Sequence, residues 1–155
     1  MAAQDLVERF LAQGEDFERS FRDDDWTRME QHFAAGAVYE TLGPGGERFV
    51  GRAELLGALR RAVSNFDRRC DSRTLVTTAG PVRDGVEVTR EWACTFTLKG
   101  APDLRIEGNE RAVYKGELIE RLEERLTPQS RQSLAAWLAA YGARLPAPNR
   151  RPPEA

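Results

Sequence analysis

Histidine and cysteine are scarce in this chain: 155 residues hold one His and two Cys. Cys70 and Cys94 are too widely separated for a zinc knuckle, and neither has a histidine near it in sequence. No acid, cysteine or histidine cluster sits at metal-ligand spacing, so no metal site is indicated. In a reducing compartment both cysteines are expected as free thiols. Long apolar runs are also missing, which argues against an integral membrane protein. The start "MAAQDLVERFLAQGEDF" lacks the basic, apolar and small-residue segments of a secretory leader, so the cytoplasm is the expected location. Charge of one sign is lacking too: the net is -2, both signs are mixed, and no basic block suggests a nucleic-acid surface. "GPGG" has neither the lysine nor the helix cap of a nucleotide loop, and no nucleophilic serine elbow occurs. No cofactor is expected.

What is present is an ordinary soluble balance, 41% apolar and 31% charged residues, in a length that fits one domain closing a core around a cavity. Leu6, Phe10, Phe17 and Phe21 fall near one side of a first helix. A second helix, capped by Asp24 or Asp25, is predicted to carry Trp26, Met29 and Phe33 and to stop at Gly36. "AVYETL" reads as a strand alternating Val38, Glu40 and Leu42 against Tyr39 and Thr41, and a third helix from about Arg52 buries Leu55, Leu56, Leu59, Val63 and Phe66. The period then changes from 3.6 to 2 for strands at roughly 72–80, 86–99, 104–115 and 117–126, with Asp84-Gly85 as a hairpin turn. Strand 86–99 places Val86, Val88, Trp92, Cys94, Phe96 and Leu98 on one face with Arg90 as its single charge. A last helix at about 129–144 carries Leu134, Trp137, Leu138 and Tyr141. The domain is expected over 1–145, with the proline-rich 146–155 as a flexible tail. The whole is α+β: a curved antiparallel sheet wrapped on N-terminal helices, plus a C-terminal helix.

One strand poses a question. Leu104, Ile106, Gly108, Glu110, Ala112 and Tyr114 share a face, and one of them is an acid. A three-residue loop Tyr114-Lys115-Gly116, with Gly116 left-handed, puts Glu120, Leu122, Glu124 and Leu126 on the same side and leaves Arg105, Glu107, Arg111, Arg121 and Glu123 to water. A two-residue Lys115-Gly116 loop instead mixes the two sets, and burying unpaired ions costs several kcal/mol each. The odd-length loop is therefore expected.

"DDDWTRMEQHFAAGAVYE", "VGRAELLGALRRAV" and "RAVYKGELIERLEERL", in this order, resemble the nuclear transport factor 2-like superfamily, and most closely its SnoaL-like branch. The resemblance implies a cone-shaped sheet with an interior pocket open at one end, frequent homodimers, and activities that include ketosteroid isomerases, polyketide cyclases, dehydratases and epoxide hydrolases beside proteins that only bind. Carried over by position, Glu40 resembles the general base at the end of the first strand and Glu110 the acid that meets a substrate oxyanion. Phe17 stands about where a helix tyrosine belongs. Glu124 is similar to the last-strand acid of the cyclases. Glu40, Arg90 and Glu110 match the acid, arginine, acid composition of the epoxide hydrolases.

A carboxyl in an apolar pocket has its pKa raised and can donate a proton, while a less enclosed one stays ionised as base. Glu40, Glu110 and Arg90 are thus the candidate catalytic residues, and Phe17, Trp92, Phe96, Tyr114 and Glu124 the candidate contacts to a small hydrophobic molecule. Each has a plainer role open to it. The acids can be solvated at the mouth or paired with Arg90, and the aromatics can be core. His32 is placed at the edge of the core rather than in a site.

Overall fold

The computed structural model describes residues 5–148; the N-terminal four residues and most of the expected tail lie outside the described residues. Three α-helices, α1 (Leu6–Asp23), α2 (Arg52–Asn65) and α3 (Pro128–Tyr141), accompany one sheet of six strands. These are β1 (Phe33–Thr41), β2 (Arg48–Val50), β3 (Ser72–Asp84), β4 (Glu87–Thr97), β5 (Leu104–Lys115) and β6 (Leu118–Leu126), in the order β2-β1-β6-β5-β4-β3. The class is α+β as expected, but the sheet is mixed: β1 runs parallel to β6. None of the described helices is long and apolar enough to cross a membrane.

Helix α1 begins where the Asp5 side chain accepts from the Val7 N–H and ends where Asp24 turns left-handed. Its apolar stripe, Leu6, Phe10 and Phe21, is buried. The second helix of the sequence reading is only a 3-10 helix, Thr27–His32, because Phe33 already has extended backbone and opens β1. Gly36 lies inside that strand rather than stopping a helix. Thr127 caps α3 by accepting from the Ser130 N–H, Pro128 fills the first turn, and the Trp137 indole donates to the Pro102 carbonyl at 2.9 Å.

The parity of β5 and β6 is reached by a different route from the one expected. The turn has two residues, Gly116 (φ 61°) and Glu117, between the paired Lys115 and Leu118. Tyr114 then faces Ile119, and a bulge at Glu120 shifts the register so that Val113 meets Arg121 and Glu110 meets Glu124. Ile119 occupies the inward place and Glu120 is exposed, a correction to its expected position. Without the extra residue Arg121, Glu123 and Arg125 would point inward, which is the ion burial that ruled out a simple two-residue hairpin. The β3–β4 turn is likewise Gly85-Val86, and Val86 is exposed instead of facing the core.

Buried side chains form two clusters. One joins α1, the 3-10 helix, β1 and α2 to the hairpin end of β5–β6 through Phe10, Met29, Phe33, Leu55, Tyr114 and Ile119. The other packs Cys70, Cys94, Phe96, Leu104, Ile106 and Trp137, with Phe66 edge-on to both Phe96 and Trp137. Both cysteines are buried, and neither is in a disulfide.

Candidate functional site

Between the two clusters the inner face of the sheet is left uncovered, and a cavity of about 990 Å3 lies there. Its walls draw on α1, the end of α2, five strands and α3, and are mostly apolar: Phe17, Leu59, Phe66, Trp92, Phe96 and Leu122 among others. Leu11, Glu15, Pro44, Gly45 and Leu138 belong to the wall and are exposed, so the cavity meets solvent between α1, the β1–β2 turn and α3. The volume is at the upper end of what small-molecule sites usually have.

Strand alternation brings three charged groups into this apolar space. Arg90, Glu110 and Glu124 are consecutive cross-strand neighbours on β4, β5 and β6. Arg90 Nε lies 3.3 Å from Glu110 Oε1 without hydrogen-bond geometry, and both atoms are buried with no hydrogen-bond partner. The guanidinium also sits 5.6 Å from the centre of the Phe10 ring. Glu110 and Glu124 stand directly opposite, a placement that separates Cβ atoms by about 5 Å. Glu124 Oε2 accepts from the Tyr39 hydroxyl at 2.8 Å. Burial first, then the neighbouring Glu110, raises the Glu124 carboxyl to about 8, so at neutral pH it holds a proton. Burial and the same Glu124 push Tyr39 well above its ordinary value, so the phenol stays a donor.

Of the residues singled out from sequence, Phe17, Arg90, Trp92, Phe96, Glu110 and Glu124 line the cavity. Two do not. Glu40 lies on the outer face of β1, bound to Arg121 Nη2 at 2.9 Å and Arg48 Nε at 3.1 Å. The inward set of that strand is Ala37, Tyr39 and Thr41, since the Tyr39 ring stacks on Phe49 and fills the core side. Tyr114 is on the right face but beyond the cavity, packed into the cluster under α1 with its hydroxyl buried and unpartnered. Burial and the charge of Glu110 raise its pKa. His32 is half-buried against Asp16, Nε2 to Oδ2 2.8 Å, away from the cavity.

Sequence reading missed Tyr39, Asp67 and Arg73, all of which line the cavity. Tyr39 belongs to the opposite parity of β1, which fits the alternation of that strand equally well and puts the large ring inward and the acid outward. Asp67 and Arg73 meet only through the tertiary fold, on a 3-10 helix after α2 and on edge strand β3. Among the described residues, no group of three or more His, Cys, Asp or Glu side chains is placed to hold a metal ion.

No family model matches the chain, and none of the curated proteins matches it. Solved structures do. A hypothetical protein of ketosteroid isomerase-like fold from Catenulispora acidiphila, in complex with trimethylamine, is similar at 21% identity over 94% of this chain and 96% of its own, with a TM-score of 0.59. An epoxide hydrolase from M. tuberculosis of the LEH-like type is similar at 15% identity, 89% and 98% coverage and a TM-score of 0.60. TerC, co-crystallised with polyporic acid, is similar at 14% identity, 84% and 98% coverage and a TM-score of 0.62. At these identities the likeness establishes the fold: the chain has the nuclear transport factor 2-like, ketosteroid isomerase-like architecture.

Proposed function

We propose that this chain is a cofactor-independent acid/base enzyme of the isomerase or lyase type, acting on a small, largely apolar carbonyl compound held in the cavity. The observation that carries this reading is the pair Glu110 and Glu124, opposed across β5–β6 on the wall of an apolar cavity, where burial and the neighbouring acid raise the Glu124 carboxyl. The Arg90 guanidinium stands beside Glu110, Nε 3.3 Å from Oε1. Glu110 then takes a proton from the carbon beside the substrate carbonyl. The Glu124 proton passes to the carbonyl oxygen, giving a neutral enol. Return of the Glu110 proton to another carbon of the conjugated system, with the enol proton going back to Glu124, completes an isomerisation and restores both carboxyls. Tyr39 acts by positioning Glu124. Compared with the assignment drawn from family resemblance, the base moves from Glu40 to Glu110 and the acid from Glu110 to Glu124. The fold neighbours, which include an epoxide hydrolase and a hypothetical protein of ketosteroid isomerase-like fold in complex with trimethylamine, support a small-molecule reading.

The test is exchange of α-protons of a panel of cyclic ketones in deuterium oxide, followed by NMR. Ketones that bind should exchange faster with the protein present, and Glu110→Gln should cut the enhancement at least about 100-fold. Ketones that bind without any gain in exchange would leave the chain a ligand carrier rather than an enzyme.

A further inference from the structure

The same cavity has a second polar station that the acid/base reading leaves unused. Glu18 on α1, Asp67 on the 3-10 helix Asp67–Arg69 and Arg73 on β3 all line the wall. The Arg73 side chain is only 5% exposed; its Nε donates to Asp67 Oδ2 at 2.7 Å and its Nη1 to Glu18 Oε1 and Oε2 at 3.0 and 2.8 Å. Its guanidinium lies 4.8 Å from the Phe21 ring centre and 5.8 Å from that of Phe17. Arg73 pairs with Phe96 on β4, whereas Glu110 pairs with Arg90, six residues further along the same strand. Six residues are about 20 Å of extended chain. Between the two stations the wall is Leu75, Trp92, Cys94 and Ile106.

The charges at this station do not balance. One guanidinium faces two carboxyl groups, and Arg73 with Glu18 alone would already tie α1 to β3. Asp67 adds an acid that burial pushes up to about 6, against the opposing pull of Arg73. Arg73 Nε meets Oδ2, and a carboxyl has further lone pairs, so Asp67 on the cavity wall can still accept from a ligand. An anionic ligand would meet two acids and a cation already engaged, so it is disfavoured; a neutral hydroxyl or N–H meets the need.

We infer that the cavity takes an elongated apolar molecule with a polar group at each end, a carbonyl or hydroxyl oxygen at Glu110–Glu124 and a neutral hydroxyl donor at Asp67–Arg73. The inference rests on the same cavity as the proposed function but not on its catalysis. It is tested with 1-alkanols and α,ω-alkanediols of six to twelve carbons, their affinities compared at equal length by calorimetry. A second hydroxyl buried without a partner weakens binding, so a diol outperforms its alkanol only where both ends are met. At a matching length the diol should bind about tenfold tighter, roughly the worth of one well-made buried hydrogen bond. Asp67→Ala should erase that gain, so that diol and alkanol of equal length bind this variant alike; Asp67→Leu, closer in volume, replaces it if the alanine variant does not fold. The idea is overturned if no diol exceeds its alkanol in the wild-type chain, or if the gain survives removal of the Asp67 carboxyl. Alkanols and diols cannot enolise, so this outcome is independent of the ketone exchange experiment. A diol gain without proton exchange sinks the catalytic reading alone, and exchange without a diol gain sinks the two-ended ligand alone.

Discussion

Burial of the Glu124 carboxyl, with its pKa lifted to about 8, ties folding to pH at a single residue. In the unfolded chain a glutamate releases its proton near the ordinary value of about 4.3. Between that value and 8 the folded state holds a proton the unfolded state has lost, so stability must fall as pH rises through this window. Asp67, raised to about 6 by burial, acts in the same direction over a narrower range. Below it the sign reverses. Asp23, held down by Arg28, and Glu87, held down by Arg111, contribute stability that disappears as pH drops through their lowered values. Urea melts should therefore show greatest stability near pH 5 and a loss toward pH 8. In Glu124→Gln most of that alkaline loss should vanish; an unchanged slope would mean the carboxyl is solvated.

At the scale of the strand, one glycine sets how closely the sheet approaches its own side chains. Gly108 on β5 pairs with both Trp92 and Leu126, and a methyl group there would stand 2.7 Å from Trp92 Cζ2 and 2.6 Å from the Arg125 carbonyl oxygen. Neither distance is tolerable, and backbone cannot swing aside as a side-chain tip can. Gly108→Ala should cost about 1–3 kcal/mol and turn Trp92 toward the cavity. Denaturant melts and a shift in tryptophan emission would record both effects. The bulge at Glu120 has the complementary role: by adding one residue it keeps Leu122, Glu124 and Leu126 inside after a two-residue turn. Alternation along β6 could reveal the face, but not which device produced it, because a longer loop and a bulge leave the same pattern of oily and charged residues.

Across the whole molecule the two faces of the sheet differ in kind. The inner face sets Arg73, Arg90, Glu110 and Glu124 in an otherwise largely apolar cavity wall. The outer face carries a chain of ions over five adjacent strands, Glu87, Arg111, Glu123, Arg121, Glu40 and Arg48, each paired with the next. These pairs are partly covered but still in reach of water, and surface pairs are worth about 0.2–1 kcal/mol and are screened by salt. Glu40→Gln should therefore cost about 1 kcal/mol or less in urea melts, shrink that difference at high salt, and leave ketone exchange within twofold of wild type. A large loss of exchange would return Glu40 to the chemistry. The sequence by itself determined the α+β order, the amphipathic helices and the alternation that sends Glu110, Glu124, Trp92 and Phe96 to one face, because these are periodicities of local backbone geometry. Only the tertiary structure decided the parity of β1, which sends Tyr39 in and Glu40 out, the packing that removes Tyr114 from the cavity, and the meeting of Asp67 with Arg73. Those outcomes depend on which distant side chains compete for the same space, and no local pattern records that competition.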